Sequence, residues 1–128
     1  MKTCLISLNI TKNKHSDWVD SISHSWYDLL YRNNLIPYLV PNDSSFTHYT
    51  TNINKIDLII LTGGKNKHEY KTDVRYQKRD VLEYKLIDYA INKNIPVLGV
   101  CRGMQILNLY FNGSIRYDKN KNHVNSKH

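Results

Sequence analysis

The chain is poor in cysteine: Cys4 and Cys101 are the only two in 128 residues, and they form no Cys-x-x-Cys pair. That excludes a fold stapled by a disulfide framework, so each thiol can be read by itself. Long hydrophobic runs are also missing, and none approaches the roughly 20 residues that span a bilayer. The opening Met1-Lys2-Thr3-Cys4-Leu5-Ile6-Ser7-Leu8 has a short apolar stretch, then Asn9 and Lys12, with no small-residue cleavage site. It reads as a buried first strand and not as a signal peptide, and a cytoplasmic location is expected. A single basic stripe is lacking as well. The net charge is +7, yet Lys65, Lys67, Lys71, Arg75, Lys78 and Arg79 are interrupted by Glu69 and Asp73. Without one charged face, neither nucleic acid nor a membrane is expected as a partner. No repeat or low-complexity linker divides residues 1–128, which suit one domain. No metal and no cofactor are expected.

Apolar pattern supplies the positive signal. Hydrophobic residues make up 41% of the chain, enough for a packed core. Residues 3–8 form a near-continuous apolar run, as strands buried on both faces do. Ser16 is placed to cap a helix whose stripe is Trp18, Ile22, Trp26, Leu29 and Leu30, ending at Asn33-Asn34. Leu35 to Val40 reads as a second strand, with Pro37 marking a strand end or an edge. Pro41-Asn42-Asp43-Ser44 reads as a turn. A third strand runs from Ile56 to Leu61 and stops at Thr62-Gly63-Gly64. Residues 65–78 read as a charged surface segment. Asp80 is expected to begin a helix with Leu82, Leu86, Tyr89 and Ala90 inside, ending at Asn94. Pro96 to Val100 is a fourth strand, followed directly by a helix to about Phe111 and a stop at Asn112-Gly113. The order βαβ, loop, βαβα predicts an α/β domain of three layers around a mostly parallel sheet.

The strand-to-helix junction carries chemistry. In Gly99-Val100-Cys101-Arg102-Gly103-Met104-Gln105 the cysteine falls on a sharp turn that would lift its sulfur above the sheet edge. The glycines two before and two after would let neighbouring backbone pass close by. A helix N-terminus there favours a thiolate and offers N–H groups to an oxyanion. The bland alternative is a buried cysteine at a tight turn. Cys4, inside a strand, reads as a small core residue. Gly63-Gly64-Lys65 lacks the full spacing of a phosphate-binding loop.

Residues 96–108, Pro-Val-Leu-Gly-Val-Cys-Arg-Gly-Met-Gln-Ile-Leu-Asn, resemble the nucleophile motif of class I glutamine amidotransferases. Arginine after the cysteine resembles the γ-glutamyl-γ-aminobutyrate hydrolase branch, peptidase C26. Asp57 to Gly64 resembles the family's strand and oxyanion loop. Arg79-Asp80 with Glu83 resembles the branch's Arg-Asp-x-x-Glu helix start. Phe111-Asn112-Gly113-Ser114-Ile115 resembles its Gly-Gly-Thr-Leu turn, with Asn112 where glycine is usual. The resemblance implies a flavodoxin-like fold and Cys101 as the nucleophile on a glutamine-like or γ-glutamyl small molecule. It also implies an oxyanion hole from backbone N–H groups of Gly63, Gly64 and Arg102, and a glutamyl pocket shaped by Gln105.

The family's triad continues through a His-x-Glu motif, and this sequence contains none. Its two glutamates, Glu69 and Glu83, precede Cys101. His123 reads as the branch's non-catalytic His-Val position. The expectation is therefore an N-terminal part of the family's domain, without its catalytic histidine and glutamate and with weak or absent turnover alone. Three functions compete: a free-standing γ-glutamyl hydrolase, a glutaminase feeding ammonia to a separate synthetase, and an inactive domain acting as an interaction module.

Overall fold

The computed structural model describes residues 1–43, 50, 52–65 and 73–116. The expectations for Ser44, for residues 66–72 and for His123 lie outside these residues. A parallel sheet of four strands forms the centre: β1 (Lys2–Ser7), β4 (Leu35–Val40), β5 (Leu58–Leu61) and β6 (Val97–Gly99), in the order β4-β1-β5-β6. Parallel strands need crossovers, and three helices are described: α1 (Ser25–Arg32), α2 (Val74–Lys93) and α3 (Arg102–Tyr110).

Alternation along the strands feeds a core on each face of the sheet. Leu5, Ile59 and Leu61 pack against Leu82, Leu86, Ile87 and Ala90 of α2 and Ile106 of α3. Cys4, Ile6 and Ile60 turn to the opposite face, against Leu30 of α1, with Ile22 and Trp26 beside them. Strands covered on both faces explain the near-continuous apolar reading of residues 3–8. Each fully buried leucine or isoleucine contributes about 2 kcal/mol. The three-layer α/β architecture with a parallel sheet is as expected.

Pro37 sits opposite Cys4 in β4, an edge strand of the sheet, where a missing N–H is tolerated. Asn34 takes the left-handed conformation just after α1 (φ 56°), and Asn94 closes α2 in the same way (φ 54°). Both helix stops were legible in the sequence.

Three boundaries differ from the sequence reading. No helix starts at Ser16. Residues 9–21 instead form an antiparallel hairpin, β2 (Asn9–Lys12) with β3 (Trp18–Ser21). Asn13 Oδ1 accepts from the His15 and Asp17 N–H groups at 2.9 and 3.0 Å, and Ser16 is a positive-φ turn residue (φ 65°). Trp18 leaves the helical stripe because its ring meets Tyr76 of α2 edge-on, centroids 5.4 Å apart, with the Arg75 guanidinium at 5.6 Å. Second, α2 begins at Val74, not at Asp80. Asp73 caps it, its side chain accepting from the Arg75 N–H at 2.9 Å. Its first turns are rich in charge and read in sequence as part of the surface segment 65–78. Third, β5 starts at Leu58, because the Asp57 N–H and carboxylate bond to Thr3 ahead of the ladder.

Candidate active site

Parallel α/β sheets present their sites at the C-terminal ends of the strands. Here β5 ends at Thr62-Gly63-Gly64 and β6 ends at Val100-Cys101, side by side, since Leu61 pairs with Gly99. The Val100 N–H bonds to the Leu61 carbonyl at 2.9 Å, carrying the pairing one step past β6.

Cys101 lies between β6 and α3 with φ 54° and ψ −113°. That region is strained for any residue with a Cβ and costs on the order of 1–3 kcal/mol. The turn is held there from both sides. The Gly103 N–H bonds to Val100 O at 2.9 Å, and the Met104 N–H to Cys101 O at 3.0 Å. A Cβ at Gly99 would lie 2.6 Å from Leu107 Cδ1 and 2.7 Å from the Gly103 carbonyl oxygen. One at Gly103 would overlap the Leu61 carbonyl. The two glycines thus bring helix and strand closer than any side chain would permit. Cys101 remains exposed, and among the described residues no side chain hydrogen-bonds its thiol.

Gly63 faces this elbow: a Cβ on it would stand 3.4 Å from Cys101 Cβ. Beneath the Gly-Gly loop runs a buried ionic cluster. Arg79, 1% exposed, donates through Nε to Glu83 Oε1 at 3.0 Å. Its Nη1 donates to Gly63 O at 3.0 Å and Asn9 Oδ1 at 3.2 Å. Its Nη2 donates to Thr62 O at 2.9 Å and Thr62 Oγ1 at 3.0 Å. Ser7 Oγ donates to Glu83 Oε1 at 2.8 Å and accepts from the Thr62 N–H at 3.0 Å. The Arg102 side chain turns inward, away from the elbow surface, and bonds Glu83 Oε2 and Asp80 Oδ1. The cluster thus links the β1 end, the loop, α2 and the first residue of α3. Removing one partner from a buried pair of this kind costs about 3–5 kcal/mol.

Cys101, Gly63, Gly64 and Arg102 are therefore neighbours around one sheet edge. Gln105 sits half-buried in the first turn of α3, its N–H 3.3 Å from Cys101 O. A cleft of about 250 Å³ opens beside the loop, lined by Asn9, Ser21, Ser23, Trp26, Thr62 and Gly63 among others. It lies between β1 and β5, where the strand order reverses. A larger hollow of about 440 Å³ is at the opposite end of the strands, near Lys55 and Pro96. Among the described residues no helix is long and apolar enough to cross a membrane.

Sequence reasoning did not see the roles of Ser7, Asn9, Thr62 and the side chains of Arg79, Glu83 and Arg102. A signal was present: Arg79 and Glu83 stand at i,i+4 within the same stripe as Leu82, Leu86 and Ala90. Charges inside an apolar stripe point to a buried pair.

A thiol on a strand-to-helix turn, facing a Gly-Gly loop across adjacent parallel strands, fits the class I glutamine amidotransferase-like group of α/β proteins. The family model for Peptidase C26 matches residues 3–128, and the chain belongs to that family. Its relatives include the γ-glutamyl-CDP-amidate hydrolase of Campylobacter jejuni, 34% identical over 64% of this chain and 40% of the relative. A glutamine amidotransferase-like protein of Lactococcus lactis is 37% identical over 57% of this chain and 34% of its own length. A glutamine-hydrolysing GMP synthase of Anaplasma marginale is 39% identical over 48% of this chain and 11% of its length. The chain spans about a third of the length of curated relatives it matches.

Proposed function

We propose that this chain carries the nucleophile and oxyanion loop of a cysteine hydrolase acting on γ-glutamyl amide bonds. The observation that carries the reading is the conformation of Cys101, φ 54° and ψ −113°, held strained and exposed beside Gly63. Such strain persists only where the surroundings enforce it, and it collects at sites of chemistry. The name of the Campylobacter relative, a γ-glutamyl-CDP-amidate hydrolase, supports the substrate class.

In this reading the Cys101 thiolate attacks the γ-carbonyl carbon, and the carbonyl oxygen becomes an oxyanion. The N–H groups of Arg102, Gly63 and Gly64 receive it. The C–N bond breaks, the amine leaves with a proton, and a γ-glutamyl thioester stays on Cys101. Water then attacks the thioester to release glutamate and restore the thiol. Gln105 borders the glutamyl group. Proton transfers need a base within hydrogen-bond reach. The sequence contains no His-x-Glu, so the amine-release and water steps depend on groups outside these 128 residues. Formation of a thioester from an activated donor does not.

The test has two parts. Mixed with a γ-glutamyl thioester, the protein should gain one γ-glutamyl group by mass, and Cys101→Ser should gain none. Ammonia release from glutamine or γ-glutamyl amides should be weak or absent. A group retained by Cys101→Ser would remove Cys101 as nucleophile. Turnover equal to that of a full-length relative would refute the dependence on outside groups.

A second reading is a glutaminase unit that supplies ammonia to a separate synthetase. The similarity to the Anaplasma GMP synthase favours it. It shares the thioester chemistry and differs in the fate of the ammonia.

A further inference from the structure

We infer that Arg79 is a positioning residue for the oxyanion hole: it aims the backbone N–H groups of the Gly63-Gly64 loop by holding the carbonyls on their far side. The inference rests on the reading of that loop as the oxyanion hole.

The argument starts from the peptide group. A trans peptide is planar, so its C=O and N–H point in opposite directions. Fixing the Thr62 carbonyl therefore fixes the Gly63 N–H, and fixing the Gly63 carbonyl fixes the Gly64 N–H. Both carbonyls accept from Arg79, at 2.9 Å from Nη2 and 3.0 Å from Nη1. Both N–H groups are thereby directed away from the buried guanidinium. Glycine has no side chain to hold such a peptide plane, so something else must hold it.

Arginine suits the task because its fork is planar, rigid and permanently charged. Arg79 is itself fixed, with Nε on Glu83 Oε1 at 3.0 Å and Nη1 also on Asn9 Oδ1 at 3.2 Å. Glu83 in turn takes Arg102, whose backbone N–H lies at the start of α3. One buried carboxylate thus holds, through two arginines, both sides of the proposed hole. Gly64 is fitted against this support, since a Cβ there would overlap Arg79 Nη1 and lie 2.5 Å from Asn9 Oδ1. The charge also acts on the hole, because a buried cation behind the carbonyls polarises the peptides and strengthens their N–H groups as donors.

The test separates oxyanion stabilisation from thiol reactivity. Transfer of an acyl group from a thioester to Cys101 passes through an oxyanion: the sulfur attacks, the C–S bond of the donor breaks and a thiolate leaves. Alkylation by iodoacetamide displaces iodide and forms no oxyanion. The ratio of the two rates at Cys101, set against the same ratio for a short cysteine peptide, measures the hole. An acetyl thioester and a γ-glutamyl thioester are both used as donors. The wild-type ratio should exceed that of the peptide. Arg79→Lys should lower it by about tenfold to a hundredfold, with alkylation changed less than about twofold, because a lysine cannot reach the same acceptors together.

Gly64→Ala, which pushes on Nη1 and leaves the charge, should lower the ratio too. Leu86→Val, which loosens the same helix without touching the loop, should keep the wild-type ratio. A folded Arg79→Lys with the wild-type ratio overturns the inference, as does a wild-type ratio no higher than that of the peptide. Should Arg79→Lys fail to fold, Gly64→Ala decides by the same criterion. Equal preference for the two donors would refute the γ-glutamyl reading and leave the role of Arg79 standing on the acetyl donor.

Discussion

Cys4 and Cys101 are one residue type in two opposed settings. Cys4 sits in the middle of β1, fully buried between Ile60 and Leu30, and its thiol donates to Leu5 O at 3.5 Å. Burial pushes its pKa up from 9.0 to about 12. Cys101 stands exposed at the end of a strand with positive φ. The first has relaxed backbone and an enclosed side chain; the second has strained backbone and an accessible side chain. A sulfur becomes useful to chemistry through its placement, since the residue is the same.

The widest gap should appear in alkylation. Iodoacetamide reaches Cys101 in the folded protein but reaches Cys4 only through opening of the core. With an opening free energy of about 4 kcal/mol or more, Cys101 should label roughly 1,000-fold faster. Peptide mapping by mass spectrometry over time measures both sites, and comparable rates would erase the contrast.

Glycine offers the next test, because it should act with opposite sign at the two positions. Cys4→Gly removes a buried side chain and loosens a strand, at a cost of about 2 kcal/mol. Cys101→Gly relieves the positive φ and should stabilise by about 1 kcal/mol after the entropy of glycine is deducted. Urea unfolding of each variant gives the two values, and destabilisation by Cys101→Gly would mean the turn is not strained.

The smallest effect concerns pH. The folded pKa of Cys4 is raised, so the folded state holds this proton more tightly than the unfolded chain. Below pH 9 both states keep it, and the contribution of Cys4 is fully present. As pH rises from 9.0 towards about 12 the unfolded state alone ionises, and stability falls. The slope from this group is at most about 1.4 kcal/mol per pH unit. Cys4→Ala should remove that part of the alkaline slope, while Cys101→Ala should leave it; equal slopes in wild type and Cys4→Ala would count against the shift.

Both cysteine settings were legible in the sequence, and for the same reason. Local pattern specifies them: an apolar run encloses Cys4, and a glycine on either side of Cys101 marks the tight turn. The four strands of the parallel sheet, the asparagine helix stops and the edge position of Pro37 also follow from short-range rules. What could not be read rests on distant partners. Trp18 continues the helical period of Ile22 and Trp26, yet it pairs with Tyr76 of α2, and no local rule reports that contact. The first turns of α2 look like a polar loop because their charges are judged as solvated, whereas Arg79 is buried among Asn9, the Thr62-Gly63 loop and Glu83 of its own helix. Within the site, Cys101 and the glycines were visible, and the support beneath them was not. Arg79, Glu83 and Arg102 are far apart in sequence from Ser7 and Thr62, and only the folded chain brings them together.

The strained turn at Cys101 also bears on how such a chain can change through descent. At most positions folding and chemistry favour the same residue; under the proposed function they oppose each other at position 101. A lineage released from the need for a thiol would gain stability from glycine there, and drift would favour the exchange. Position 101 can therefore serve as an indicator across related sequences: cysteine points to continuing selection for reactivity, and glycine to a scaffold kept for another purpose.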